Sequence, residues 1–419
     1  MNKEERKIIG LSSLGGMLEL YDFAIYGTFS IYFAHQFFPS TNPYTVILQT
    51  YMVFLLGFIL RPIGGLLFSH IGDEFGRKKV LILTIFIMGI SSLGIALLPT
   101  YQQIGLWAPV LLLLCRLLQG LALGGELPTT YVYLSESLAD KKILAFGITM
   151  ASVFSGYLLA AAINYLLSHI FSPAQLNQFA WRIPFVIGGV ICFISYQIRK
   201  SLHETKEFKK IMTKPKIPIV YLFRKHWSQV IQGMIFSAVQ QVFSVLAIIF
   251  MATYLQTFLH ISNDSVSQLL PIGLVVTVLA IFSAGYLWRK KSNLPKLMCW
   301  SLLINLIIVP VAYFLIGKQL SVMGGYILLM LGHGVLGLLV PLYLTALFPS
   351  NVRLSGVATC YNLSITSFAG FAPIIVTELI QHYNLLLFAP SGYILIFIIL
   401  GLISLFWVAR KNTVSMTGI

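Results

Sequence analysis

Charge is what this sequence has least of. Only 10% of its 419 residues are Asp, Glu, Lys or Arg, against about 25% in a soluble globular domain, while 58% are apolar. That deficit excludes an ordinary water-soluble fold and makes lipid the solvent for most of the surface. Cysteine is also sparse. Cys115, Cys192, Cys299 and Cys360 each fall inside an apolar run with no paired spacing, which argues against a disulfide framework or a zinc site. There is no metal-ligand cluster, nucleophile motif, nucleotide loop or soluble output domain, so a membrane-embedded enzyme or a signalling receptor finds no support. Alternating segments of about 10 residues, the mark of a membrane barrel, are missing too.

What is present is a succession of apolar runs, each long enough to cross about 30 Å of hydrocarbon as a helix. They read as 9–36, 44–69, 80–99, 107–135, 143–168, 181–198, 228–258, 265–288, 295–316, 322–348, 354–381 and 390–409, which predicts an all-α integral membrane protein of twelve transmembrane helices. Met1 to Gly10 is short and charged, and the first run is too long for a signal-peptide core, so the first helix is expected to be retained.

The net charge of +15 raises the question of a nucleic-acid partner, and the placement of the bases answers it. Of 28 Lys and Arg, 24 lie at every second connection: Lys3/Arg6/Lys7, Arg77/Lys78/Lys79, Lys141/Lys142, the 199–225 segment, Arg289/Lys290/Lys291 with Lys296, Arg353, and Arg410/Lys411. The alternate loops hold only Lys318, with Arg182 at a helix start. This is the positive-inside pattern of a membrane protein, not a nucleic-acid surface, and it predicts cytoplasmic N- and C-termini. An even number of spans follows.

One long polar interruption, residues 200–227, divides the chain into an N-terminal six-helix group (1–199) and a C-terminal one (228–419). It reads as a cytoplasmic linker, part of it an amphipathic helix. GDEFGRKK (Gly72 to Lys79) follows the second helix of the first group, and GYLWRKK (Gly285 to Lys291) follows the second helix of the other. The echo suggests duplication, though any inside loop collects bases.

An ionisable group within a span is costly unless paired or wetted, so each one is a functional candidate. Glu19 and Asp22 are spaced i,i+3 on the first helix and share a face, with Tyr26 one turn along. Arg116, about 13 Å into the fourth helix from the outer side, is placed to meet Asp22 near the midplane. Either Asp22 or Glu19 is the candidate proton carrier. Arg116 is its partner or the anchor of a substrate carboxylate, which a planar guanidinium binds bidentately; a structural ion pair between the first and fourth helices is the rival. Glu126, beside Gly124 and Gly125, is a second proton site, a gate or a packing residue. Arg61, before Pro62, is expected to reach the cytoplasmic headgroups in a structural role, and Arg182 to anchor the outer interface. Glu378 falls near the outer end of its helix, leaving the second group without a deep acid. There Gln240, Gln241, His333, Tyr361 and Asn362 are candidate substrate contacts, with His333 read first as a helix-to-helix hydrogen bond.

The segment SHIGDEFGRK, Ser69 to Lys78, resembles the G-x-x-x-D-[RK]-x-G-[RK]-[RK] signature of the major facilitator superfamily. Ser69 replaces its first glycine and Glu74 a base. The resemblance implies a latch in which Asp73 faces a helix end, Gly76 forms a tight turn, and Arg77, beside Lys78, pairs with Glu136. Four further segments are similar to the metabolite:proton symporter branch of that superfamily. These are Glu19–Gly27, Arg61–Gly65, Arg116–Gly120 with Gly124–Glu126, and Trp181–Pro184. Leu202–Phe208, Leu347–Pro349 with Arg353, and Tyr361–Asn362 add to the likeness, and Gln119 falls within it as a substrate-site candidate. What it implies is a major facilitator fold of two pseudo-symmetric six-helix bundles in a bacterial inner membrane. A functional monomer then imports a small organic acid or zwitterion with protons by alternating access. The proton gradient is the driving force and no cofactor is expected; an exporter or antiporter is the alternative. The nine residues after Arg410 carry no heptads, so the osmosensing form with a coiled-coil tail is not expected, while osmolyte transport stays open.

Overall fold

The computed structural model describes residues 2–39, 49–50, 52–53, 56–57, 59–211, 215–290 and 293–411, with side chains to residue 406. Every regular element among these residues is helical. The long helices are α1 (Lys3–Phe37), α2 (Arg61–Phe75), α3 (Arg77–Leu97), α4 (Trp107–Ser137), α5 (Lys142–Ile170) and α6 (Ile183–Arg199). After the short α7 (Pro218–Lys225) come α8 (Trp227–Ser244), α9 (Asn263–Leu287), α10 (Leu294–Gly317), α11 (Val322–Leu347), α12 (Arg353–Ser364), α13 (Ala372–Tyr383) and α14 (Phe388–Lys411). Eleven helical stretches among the described residues are long and apolar enough to cross a membrane. The remaining span of the sequence reading, 44–69, lies partly outside the described residues.

Two boundaries differ from expectation for local reasons. α1 begins six residues before its apolar run because Asn2 and Glu5 form a capping box: the Asn2 side chain accepts the Glu5 N–H at 2.8 Å, and Glu5 Oε2 accepts the Asn2 N–H at 2.9 Å. The basic signature segment, expected as a loop, is helix on both sides of one residue. α2 continues to Phe75, Gly76 turns the chain at φ 112°, and α3 starts at Arg77. Gly72 is therefore a helix residue, and only Gly76 serves the turn.

The chain forms two compact units. The first comprises Met1–Ser137 and Ser152–Met212; the second comprises Leu138–Ala151 and Thr213–Ile419. In the first, Phe33 and Phe37 of α1 pack on Trp181 with ring centroids 5.1 and 5.8 Å apart, and Phe33 meets Phe185 at 6.1 Å. α2 and α4 cross backbone to backbone. A Cβ on Gly64 would overlap the Leu121 carbonyl oxygen, and one on Gly124 that of Arg61. Small residues are what permit so close an approach between membrane helices.

In the second unit α8 runs on into two π-helical turns, Val245–Ile249 and Tyr254–Phe258, separated by one α-helical turn at Phe250–Thr253, and Ile365–Ala369 forms a third between α12 and α13. Tyr326 Oη donates to the Ala247 carbonyl at 3.1 Å, supplying a partner inside the first of them. The linker contributes α7, an amphipathic helix as expected. Its Pro218 and Leu222 are buried where it packs on α8 and α12, and Val220, Tyr221 and Phe223 are exposed. Gly285, the first residue of GYLWRKK, meets Gly147 backbone to backbone.

Candidate functional site

α1 carries Asp22 into the first unit, where α3 and α4 supply its partners. Ser92 Oγ donates to Asp22 Oδ2 at 2.5 Å, and Gln119 Nε2 donates to the same oxygen at 2.6 Å. Gln119 Oε1 in turn accepts from Arg116 Nη1 at 2.7 Å. The direct Asp22–Arg116 contact read from the sequence is therefore replaced by a relay. The i,i+3 spacing of Arg116 and Gln119 puts the amide between the two charges. The guanidinium of Arg116 lies 3.3 Å from the ring centroid of Tyr26, a cation–π contact, and Tyr26 Oη donates to the Thr50 carbonyl at 3.2 Å. Asp22 Oδ1 and the Arg116 Nε and Nη2 groups are buried without a hydrogen-bond partner among the described residues. Beside them, between Asp22, Gly57, Arg116 and Gln119, is a void of about 20 Å³, the size of one water.

Glu19 is held elsewhere. Arg61 Nη2 lies 2.8 Å from Glu19 Oε1, with both side chains buried. The expectation that Arg61 reaches the headgroups is corrected. The close crossing of α2 and α4 leaves its side chain inside, where it neutralises an acid that would otherwise sit unpaired in an apolar interior. Pro62 occupies the first turn of α2, where its missing N–H is harmless.

Glu126 pairs with a residue that the sequence reading counts among the bases of the 199–225 segment. Arg199, the last residue of α6, is fully buried and binds both carboxylate oxygens, Nη2 to Oε1 at 2.6 Å and Nη1 to Oε2 at 3.1 Å. It also donates to the carbonyls of Leu81 and Leu11 at 2.6 and 3.2 Å, so one guanidinium joins α1, α3, α4 and α6. Thr84 Oγ1 donates to Glu126 Oε2 as well. Gly15 leaves room for the pair, since a Cβ there would overlap Arg199 Nη2 and Glu126 Oε1.

At the α2–α3 turn Arg77 is likewise buried. Its Nη2 lies 3.1 Å from Glu136 Oε1 and 3.4 Å from Asp73 Oδ1, and its Nη1 donates to the Gly72 carbonyl at 2.9 Å. Glu74 lies 3.1 Å from His70 on the exposed face of α2. The segment after α6 closes over the turn. Glu204 accepts the backbone N–H groups of Arg77 and Lys78, each at 3.1 Å, at the start of α3. Thr205 Oγ1 donates to Glu136 Oε2 at 2.6 Å, and Tyr133 Oη donates to the His203 carbonyl at 2.7 Å.

In the second unit Ser244 Oγ sits 2.7 Å from His333 Nε2 and accepts from Gln240 Nε2 at 3.0 Å, linking α8 to α11. Gln241 points away from that group and is buried, its Nε2 without an acceptor among the described residues. On α12, Tyr361 and Asn362 are buried, and Asn362 Nδ2 donates to the Ala358 carbonyl at 2.9 Å. Arg182, at the start of α6 in the first unit, donates to the carbonyls of Leu98 and Gln178 and lies 4.3 Å from the Trp181 ring centroid. Glu378 pairs with His382 on the exposed face of α13 at 3.0 Å.

The sequence reading passed over Ser92, Thr84, Arg199, Glu204 and Thr205 as individual partners. The last two lie in the Leu202–Phe208 stretch, where a motif was the available signal. Ser92 and Thr84 are ordinary hydroxyls in an apolar run.

A family profile described as the Major Facilitator Superfamily matches residues 13–373. The chain is similar to the proline/betaine transporter of Salmonella typhimurium, 29% identical over 427 residues, which span 98% of this chain and 84% of that protein. It is also similar to the alpha-ketoglutarate permease of Escherichia coli, 33% identical over 375 residues, 89% of this chain and 86% of that one. A solved structure of the proton:xylose symporter XylE aligns with a TM-score of 0.75, covering 97% of this chain and 95% of its own. At 16% identity that likeness is one of fold.

Proposed function

Because the chain belongs to the major facilitator superfamily, we propose that it imports a small carboxylate-bearing solute together with protons, by alternating access, as a monomer in a bacterial inner membrane with both termini in the cytoplasm. The proton gradient drives the cycle and no cofactor takes part.

The observation that carries this reading is the buried Asp22–Gln119–Arg116 relay. A carboxyl group enclosed by apolar helices changes charge at the cost of desolvation, so its protonation responds strongly to what faces it. Arg116 holds N–H groups with no acceptor among the described residues, in the fork geometry that suits a carboxylate. A solute carboxylate on that fork alters the field at Gln119 and thereby at Asp22, one residue away in the relay. Proton and solute are then coupled through one amide. Two relatives of comparable similarity have names that specify a zwitterion and a dicarboxylic acid. The chemistry those solutes share is the carboxylate.

Purified protein in proteoliposomes, challenged with proline, betaine and alpha-ketoglutarate, tests this reading. At least one should drive proton entry with a pH indicator trapped inside. Asp22→Asn should abolish uptake driven by a pH gradient while leaving solute counterflow intact. Gradient-driven uptake at the wild-type rate in that variant would remove Asp22 from the role.

A further inference from the structure

A cavity in the first unit lies remote from the Asp22 relay. It measures about 600 Å³ and opens where the first turns of α1 meet the end of α4 and the 201–209 segment. That volume falls in the range of small-molecule sites, about 300–1,000 Å³. Four lysines line it: Lys3 and Lys7 from α1, Lys206 and Lys209 from the segment after α6. None of the four makes an ion pair among the described residues. Three acids also line it, but two are engaged. Glu136 is held by Arg77 and Thr205, and Glu204 by the N–H groups of Arg77 and Lys78. Glu4 is the one acid left facing four unpaired ammonium groups.

We propose that this cavity is an anion site for a phosphate-bearing ligand, carried either on a small metabolite or on a lipid headgroup. Concavity matters here, because charges of one sign on a recessed wall focus the field in a way the same charges on a convex surface do not. The lysines come from two separate stretches of chain, so a multiply charged oxyanion bridges them. It thereby holds the 201–209 segment, with its Glu204 and Thr205 bonds, over the turn at Gly76. The site requires neither the transported solute nor the proton relay; only its cytoplasmic location rests on the reading above.

The test uses the full chain in a neutral maltoside detergent, with pyrophosphate titrated at constant ionic strength against chloride. Pyrophosphate should raise Tm saturably, and K3Q/K7Q/K206Q/K209Q should weaken the apparent affinity roughly tenfold or more. K206Q/K209Q, which leaves α1 unchanged, serves if the fourfold variant is not monodisperse. A parallel arm compares nanodiscs of phosphatidylcholine with nanodiscs containing phosphatidylglycerol. A lysine-dependent pyrophosphate shift supports the site with a soluble ligand. Lysine-dependent stabilisation by phosphatidylglycerol alone supports it with a lipid one. No shift in either arm, or a shift that survives the lysine substitutions, overturns it. So does a pyrophosphate shift lost in R116Q with the four lysines intact, which would place the anion at the relay instead.

Discussion

One nitrogen of the Arg116 guanidinium is engaged by Gln119 and the face of the group rests on Tyr26, while Nε and Nη2 are buried without an acceptor among the described residues. Charge and fork geometry are separable at such a site. Arg116→Lys retains the charge and loses the planar pair of donors. For a carboxylate solute the KM is expected to rise roughly tenfold to a hundredfold, the value of one or two charge-assisted hydrogen bonds, with less change in the maximal rate. An unaltered KM in transport assays would move solute binding away from this arginine. Glu126 and Arg199 make a different kind of pair, with every carboxylate oxygen engaged. Arg199→Gln alone leaves a buried unpaired charge and should destabilise the protein by about 3–5 kcal/mol. Pairing it with Glu126→Gln should recover a large part of that loss, read as Tm of the purified variants. Asp22, Glu19, Arg116 and Glu126 are legible in the sequence because a charge in an apolar run stands out. Their partners are not. Arg199 ends its helix, where linear order cannot tell an inward side chain from one reaching water, so it reads as one more base of the 199–225 segment. Ser92 and Thr84 belong to a residue type that as often bonds its own helix, as Ser91 does to Ile87 and Thr84 also does to Val80.

At the scale of elements, hydropathy placed most of the observed helix ends within about three residues, because a span must match the thickness of hydrocarbon. The exceptions are polar extensions that lipid does not dictate, the first turns of α1 and the last turn of α2. The motif around Gly76 shows what a signature conceals. Read as a loop, it is two helices joined through one left-handed residue. Glycine is required there twice over, by φ 112° and by the Glu204 carboxylate, which a Cβ would overlap. Gly76→Ala should therefore cost about 1–3 kcal/mol of backbone strain and in addition displace Glu204 from the start of α3. A lower Tm should accompany faster amide hydrogen exchange at Arg77 and Lys78. Exchange at the wild-type rate would show that the contact is dispensable. The π-helical turns that follow α8 are not legible, since nothing in their composition departs from an ordinary apolar helix.

For the whole molecule, the alternation of basic and neutral connections predicts an orientation that reporter fusions can measure. A fusion after Lys225 should report cytoplasm and one after Lys318 the opposite side; the reverse result would invert every statement about sidedness. By the positive-inside rule Arg77 and Arg199 are among the orienting charges, yet both end up fully buried in ion pairs. The two roles can be reconciled only in time. During synthesis these arginines are free charges on a nascent segment and can resist crossing the membrane. Arg77 is sequestered once Glu136 arrives on α4, and Arg199 once it reaches Glu126, which is already made. Arg77 follows Asp73 by four residues but is synthesised well before Glu136, whereas Arg199 emerges after Glu126, so the first waits longer than the second for its partner on α4. Substitution of either arginine thus bears on biogenesis as well as on the finished protein, and to different degrees.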